Sequence, residues 1–188
     1  CPSSDGGGGG NLAGKFRVPL CPGSGFGYEN ISVSWSPLLL DIKGSGIRVS
    51  RHPGQAVAFD MRGNGSKIRV DWPLDTSSVA FLVSPTKQGQ VKSIRELFGD
   101  FGAKNGFEAL KKFDSNKDKS ISALDSRYNK LKLWFDRNRN GIAEDSELAL
   151  LEDYGVESIS LQYNKPLTKG IEGKTLSGLY FNLREKRY

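Results

Sequence analysis

The chain has 188 residues, of which 37% are hydrophobic and 26% charged, with a formal net charge of +6. This composition is typical of a globular domain, and no apolar run approaches the roughly 20 residues that a spanning helix needs. Two cysteines and one histidine are too few for a zinc site built without carboxylates, and they exclude a disulfide-rich scaffold. The single histidine, His52, lies in an Arg-His-Pro-Gly turn, so a histidine-based triad is not expected. Basic residues are not clustered with stacking aromatics, so we expect no nucleic-acid partner.

The first 15 residues predict a flexible tether, and residues 16–188 a single domain. Cys1 is followed by a short polar stretch and five glycines, which cannot bury apolar surface and leave the backbone free. An N-terminal cysteine on a Gly/Ser-rich leash resembles a mature bacterial lipoprotein, in which acyl chains on Cys1 hold the membrane. This resemblance implies a membrane-anchored location in the bacterial cell envelope, outside the cytoplasm. The alternative is an ordinary cysteine that pairs with Cys21.

The first half of the chain is predicted to be rich in strands. Its apolar segments are short, β-branched and interrupted by Gly, Pro and Ser. Strands are predicted over residues 31–35, 38–40, 47–49, 56–59, 68–70 and 79–83.

After residue 93 the apolar residues recur with helical spacing, and the segments near the C-terminus alternate again. Three helical faces are predicted, formed by Phe107, Leu110 and Phe113, by Leu124, Tyr128 and Leu131, and by Leu148, Leu151 and Tyr154. Closing strands are predicted over residues 156–163 and 179–181.

Residues 136–147 match the EF-hand loop pattern D-x-[DN]-x-[DN]-G-x5-E at every specified position. We call this segment loop two. In such a loop side-chain oxygens converge on one cation, the glycine makes the sharp bend, a backbone carbonyl adds a ligand, and the final glutamate binds through both oxygens. The predicted ligands are Asp136, Asn138, Asn140, the carbonyl of Ile142, and Glu147. Glu144 is placed to act through a water.

Residues 114–125, loop one, are a poorer copy of the same pattern. The predicted ligands are Asp114, Asn116, Asp118, Ser120 and Asp125. Lys119 stands where glycine is expected, which costs on the order of 1 kcal/mol if its backbone is left-handed. The alternative is a polar turn that only caps a helix beginning near Ser122.

Together the two loops predict a tandem EF-hand pair over residues 104–154. The fold class expected is α+β, with a strand-rich N-terminal half packed on a helical half that carries the pair. Lys117, Lys119, Arg137 and Arg139 lie within the loops and oppose a divalent cation, so we expect weak calcium sites of roughly 10⁻⁴ to 10⁻³ M, as in extracellular modules.

The order of several short strings resembles a bacterial family, the calcium-binding, self-processing module of RTX-type secreted proteins. The resemblance covers residues 36–163, and its most specific parts are loop two and the string Glu96-Leu97-Phe98-Gly99-Asp100. It implies calcium in several Asp-rich loops and, in some members, cleavage of an Asp-Pro bond at the start of the module. Ser36-Pro37 stands at that place here, so we expect no self-cleavage. The earlier bends at Asp41 and Asp60 lack the following carboxylates and are expected to be structural turns.

Three classes of function follow. The first, which we favour, is a membrane-tethered, calcium-stabilised envelope or surface protein that binds an unidentified protein or glycan. The second is an enzyme, either a self-processing module or a carboxylate hydrolase. The third is a structural module of an envelope assembly with no ligand other than calcium.

Overall fold

A computed structural model describes residues 37–50, 52–99 and 101–162, together with the strand segments 34–35, 175–177, 179–180 and 183–184. These residues belong to one compact unit, Ser34–Tyr188. The predicted tether over residues 1–15 and the predicted anchor Cys1 lie outside them.

The described residues form short strands. In chain order these are β1 (Ser34–Trp35), β2 (Leu38–Asp41), β3 (Val57–Phe59), β4 (Ile68–Val70), β5 (Val79–Val83), β6 (Ser120–Ser122), β7 (Lys132–Trp134), β8 (Leu148–Ala149), β9 (Ser158–Ser160), β10 (Thr175–Ser177), β11 (Leu179–Tyr180) and β12 (Leu183–Arg184). Most of the strands predicted in the first half are therefore present. Residues 47–49 form only a single bridge, from Val49 to Pro73.

The central sheet has five antiparallel strands in the order β11-β2-β5-β7-β8. All five residues of β5 are buried, as expected for a strand of five apolar side chains at the centre of a sheet. The register places Phe81 opposite both Leu39 and Trp134, so these three side chains share one face.

Both faces of this sheet are covered by apolar side chains. On one face, Leu40, Leu82 and Leu133 join the main hydrophobic core, which continues into the second half of the chain. On the other face, Phe59, Trp72, Phe81 and Trp134 form what we call the aromatic cluster, with ring centroids 4.6 to 5.7 Å apart. The sheet therefore has no solvent-facing side at its centre.

The remaining strands form smaller sheets. A three-stranded sheet has the order β10-β9-β6, with β10 parallel and β6 antiparallel to β9. Strands β3 and β4 form an antiparallel pair, and so do β1 and β12.

The predicted helical half with a tandem EF-hand pair is wrong. The described residues contain one α-helix, α1 (Gly106–Leu110), extended by a 3-10 turn at Lys111–Phe113. The segments around the two loops are otherwise strands (β6, β7 and β8) and 3-10 turns at Tyr128–Lys130, Asp145–Glu147 and Glu152–Tyr154. The two loops are thus held mainly by strands and tight turns.

The failure has a physical cause in the spacing of the apolar residues. Leu124, placed on a helical face by the i, i+4 pattern, is 78% exposed, so that face does not exist. Leu131, Leu133 and Phe135 are all buried in the main core, which is the period-2 spacing of a strand. Both spacings coexist in this short segment, and pairing with β5 and β8 decides in favour of the strand.

No helix among the described residues is long and apolar enough to cross a membrane.

Candidate metal-binding loops

Four Asp-containing bends in the described residues share one hydrogen bond. In each, the backbone N–H five residues later donates to the aspartate side chain. The donor–acceptor pairs are Gly46 to Asp41 at 2.6 Å, Gly65 to Asp60 at 2.7 Å, Lys119 to Asp114 at 3.0 Å, and Gly141 to Asp136 at 3.0 Å. The sixth residue has a positive φ in all four, between 66° and 88°.

Loop two follows β7 and closes on itself. The backbone N–H groups of Asn140 and Gly141 donate to the two oxygens of Asp136, both at 3.0 Å. At the other end, the N–H of Arg137 donates to Oε1 of Glu147 at 2.7 Å. These bonds hold the twelfth residue of the loop against the second, which directly follows Asp136 in the chain.

The intermediate residues of loop two turn back onto the backbone. Oδ1 of Asn138 accepts from the N–H of Asn140 at 3.0 Å, and Oδ1 of Asn140 accepts from the N–H of Ile142 at 2.7 Å. Their Nδ2 groups donate to Glu144, which therefore lies against the same group of side chains. The side chain of Ile142 is 52% exposed and carries no ligand atom, so its backbone carbonyl is what it could contribute to a cation site.

The carboxylates of loop two are crowded and poorly solvated. Asp136 and Glu147 are buried, and neither forms an ion pair within the described part of the chain. Burial raises the pKa of Asp136, although hydrogen bonds from Gly141 and Asn140 partly offset the effect. Burial and then the neighbouring Glu144 raise the pKa of Glu147, whereas the hydrogen bond with Glu147 lowers the pKa of Glu144. Without a counter-ion, burial favours the protonated forms of Asp136 and Glu147.

Loop one, which follows α1 and its 3-10 turn and contains β6, repeats the bonding of loop two. The N–H of Ser115 donates to Oδ1 of Asp125 at 2.7 Å, so the twelfth residue again closes onto the second. Oδ1 of Asn116 accepts from the N–H of Asp118 at 3.1 Å, and Oδ1 of Asp118 accepts from the N–H of Ser120 at 2.8 Å. Asp125 thus reaches the loop without the longer side chain of glutamate.

The side chains of Asp125 and Asp114 in loop one differ in their hydrogen bonding. Asp125 is buried, which by itself raises its pKa, but backbone hydrogen bonds from Ser122, Ser115 and Asn116 outweigh burial and lower the pKa. Oδ1 of Asp114 is buried and accepts no hydrogen bond from any described residue. A buried carboxylate oxygen without a partner is costly, and a bound cation would satisfy it.

The two arginine side chains of loop two form their contacts away from the centre of the loop. Nη1 of Arg137 donates to the carbonyl of Ser146 at 2.6 Å, and its guanidinium lies 5.5 Å from the centre of the Phe135 ring. Nη2 of Arg139 donates to the carbonyl of Gln55 at 2.6 Å. These contacts direct both charges to neighbouring segments, so the predicted repulsion of a cation is smaller for loop two than the sequence alone suggests.

The donor chemistry of both loops fits a hard divalent cation. Carboxylate, amide, hydroxyl and backbone oxygens are the ligands that Ca²⁺ takes. In the part of the chain that the structure describes, no three His, Cys, Asp or Glu side chains converge closely enough to hold a metal by themselves. Amide and backbone oxygens would therefore have to complete each shell, with Asp114, Asp118 and Asp125 as the acids of loop one and Asp136, Glu144 and Glu147 as those of loop two.

Two tryptophans adjoin loop two that the sequence did not identify as site residues. Nε1 of Trp134 lies 3.4 Å from Oε2 of Glu147. The indole of Trp72 lies beside Asp136 and lowers the pKa of Asp136, against the larger effect of burial. The buried Trp72 N–H has no well-formed hydrogen bond among the described residues. Trp134 precedes Asp136 by two residues in sequence, a spacing that places both on one side of a strand, but only the tertiary fold brings Trp72 there.

Comparison with known proteins finds a matching family and a similar protein for the region that contains both loops. Residues 38–179 match the SPM domain family. The chain is 34% identical over 152 residues to iron-regulated protein FrpA of Neisseria meningitidis serogroup C. The aligned region is 76% of this chain and 14% of that protein, so the chain corresponds to a small part of its relative.

Proposed function

This chain belongs to the SPM domain family, and from that premise we propose that it is a calcium-binding module whose loops one and two each hold one Ca²⁺. The observation that carries the proposal is the repeated closure of both loops, in which the twelfth residue accepts from the backbone N–H of the second. Two unrelated polar turns would have no reason to share this set of bonds. The buried Oδ1 of Asp114 and the crowded acids Asp136 and Glu147 support the same proposal.

The ion has a structural role in this proposal. Loop one follows α1 and its 3-10 turn and contains β6, and loop two connects β7 to β8, so calcium would fix how these elements are placed along the chain. With affinities of roughly 10⁻⁴ to 10⁻³ M, 10 mM Ca²⁺ would stabilise the fold by about 1.4 to 2.7 kcal/mol per site. In an extracellular environment such sites stay filled, so the ion acts as a permanent part of the structure.

Calorimetric titration of Ca²⁺ into chelator-stripped protein tests the proposal directly, together with thermal melts in chelator and in 10 mM Ca²⁺. We expect two binding events and a higher melting temperature with calcium. The absence of heat at millimolar calcium, with the same melting temperature in chelator and in calcium, would contradict the proposal.

A matched pair of variants assigns the effect to loop two. Asp136→Asn removes a buried loop carboxylate, and Asp145→Asn removes the same charge from an exposed position of the same loop. We expect Asp136→Asn to abolish one of the two binding events, because it removes the anionic carboxylate of the first predicted ligand and places an amide nitrogen against the N–H of Asn140 or Gly141. Asp145→Asn should keep both events. Equal losses in the two variants would show that only net charge matters.

We further propose that the module is carried on a membrane-tethered envelope or surface protein. The support is the Gly-rich segment after Cys1, which suits a spacer between an anchored cysteine and a folded domain, and the net charge of +6, which suits an anionic surface. Intact-mass analysis of the native protein tests it, with the added mass of acyl chains on Cys1 as the expected result. A mass that corresponds to a Cys1–Cys21 disulfide would contradict it.

Self-processing is the alternative function, and we propose that this chain lacks it. Ser36 precedes Pro37 where the family resemblance implies aspartate, and a serine hydroxyl is a poor nucleophile unless a base activates it. Purified protein incubated with calcium should remain a single band on a gel. Fragments cut near Ser36 would restore the enzymatic interpretation.

A further inference from the structure

Loop two lies against the aromatic cluster, although the side chains proposed to bind its cation are polar. Trp134 and Trp72 are fully buried, and their rings pack 5.7 Å apart beneath the loop. Trp134 contributes an indole N–H to this contact, 3.4 Å from Oε2 of Glu147. Glu147 is thus held at both oxygens, since its Oε1 accepts from the N–H of Arg137.

The orientation of Glu147 matters because the last residue of such a loop is expected to bind its cation through both carboxylate oxygens. The N–H groups of Arg137 and Asn138 both donate to Oε1, at 2.7 and 3.4 Å, and so leave the carboxylate some freedom to rotate about its last torsion. A second donor on the opposite oxygen closes that freedom. Phe59, Phe81 and Trp72 surround the indole and restrict its own movement.

We propose that Trp134 is a positioning residue for calcium at loop two: its indole N–H orients Glu147 for binding through both oxygens. The inference rests on the proposed calcium function and adds a role for a core residue that binds no metal itself. Loss of an outer hydrogen bond of this kind typically lowers metal affinity 10- to 100-fold. Because the bond here is long, we expect about tenfold.

The test is Trp134→Phe, which keeps an aromatic ring and removes the N–H. Phe81→Leu is the matched control, since Phe81 packs 5.3 Å from Trp134 in the same cluster and offers no donor. In two-site calorimetric titrations with Ca²⁺, Trp134→Phe should raise the Kd of loop two about tenfold and leave loop one within about twofold. Phe81→Leu should leave both Kd values within about twofold.

A double-variant cycle separates positioning from packing. Glu147→Asp shortens the acid by one methylene and draws it away from the indole, so Trp134→Phe should have no further effect in that background. An undiminished effect in Glu147→Asp, or equal effects of Trp134→Phe and Phe81→Leu, would overturn the inference.

The wild-type protein provides a measurement that does not depend on a folded variant. In ¹H–¹⁵N spectra, the Trp134 indole N–H signal, assigned by elimination with Trp35→Phe and Trp72→Phe, should shift on addition of Ca²⁺ in the wild type and not in Glu147→Asp. An unmoved signal would overturn the inference even if Trp134→Phe does not fold. If the wild type binds no calcium, the proposed function fails as well, whereas normal binding with unchanged affinity in a folded Trp134→Phe contradicts the role of Trp134 alone.

Discussion

Lys119 occupies the sixth position of loop one with a left-handed backbone, at φ +66°. Its N–H donates to Asp114 and its carbonyl accepts from the N–H of Leu161, so both sides of the residue are held in place. A left-handed conformation costs an L-residue with a Cβ about 1 to 2 kcal/mol. The loop therefore keeps its bend at the expense of local strain that glycine would not have.

We expect Lys119→Gly to stabilise the calcium-free chain by about 0.5 to 1 kcal/mol, because relief of the strain exceeds the added flexibility of the unfolded chain. It should also tighten calcium binding at loop one severalfold, since a nearby cation is removed. Urea unfolding without calcium and calorimetry with calcium measure the two effects.

Lys119→Gln is the matched control for this substitution, because it removes the charge and keeps the strain. It should tighten calcium binding without raising the stability of the calcium-free chain. If both variants change stability equally, backbone strain at residue 119 is not significant.

At the scale of elements, loop two is docked on the segment around β3. Arg139 donates to the carbonyl of Gln55, and Thr76 donates to the carbonyl of Arg137. Gly141 is buried against β3, where an added Cβ would lie 2.7 Å from the carbonyl oxygen of Ala58 and 2.8 Å from Cγ1 of Val57. The loop is thus a contact surface between the β3–β4 pair and the central sheet.

Gly141→Ala should therefore destabilise the chain by about 2 kcal/mol or more, from left-handed strain and from the clash with β3. Gly65→Ala is the matched control, since Gly65 also has a positive φ and an added Cβ there would meet nothing within 4 Å. It should lose only the strain, about 1 kcal/mol. Urea unfolding of the three proteins gives the comparison, and equal losses in the two variants would show that loop two does not depend on the close approach to β3.

Some secondary-structure elements of this fold could be predicted from the sequence, whereas those around the two loops could not. Segments such as β5, a run of five apolar residues, could be predicted. Around the loops, Leu131, Leu133 and Phe135 also fit a strand, but an EF-hand match led us to expect helices on both sides. The loop pattern specifies its own hydrogen bonds within twelve residues, whereas the flanking structure is decided by pairing with distant strands.

The same division holds for the candidate site. Asp136, Asn138, Asn140 and Glu147 could be found because their spacing is local. The proximity of Trp72 to Asp136 could not, since 64 positions separate them and only the packing of the aromatic cluster joins them.

At the scale of the whole molecule, folding shifts the pKa values of buried acids in the two loops in opposite directions. The pKa values of Asp136 and Glu147 are raised and that of Asp125 is lowered. A raised pKa means that the folded, calcium-free chain keeps protons that the unfolded chain has released, so these two acids lower stability as the pH rises from their ordinary values through their folded ones. Asp125 acts in the opposite sense, and its contribution is lost as the pH falls through its lowered pKa.

Calcium binding should consequently release protons, mainly from loop two. We expect calorimetric enthalpies at acidic pH to depend on the ionisation enthalpy of the buffer, with the dependence fading as the pH rises above the raised pKa values of Asp136 and Glu147. Asp136→Asn, which removes one of the two raised acids and the loop two binding event, should abolish most of the dependence. Asp145→Asn should leave it intact. Buffer-independent enthalpies at every pH would mean that the acids of loop two are ionised before the cation arrives, which would contradict the effect of burial on Asp136 and Glu147.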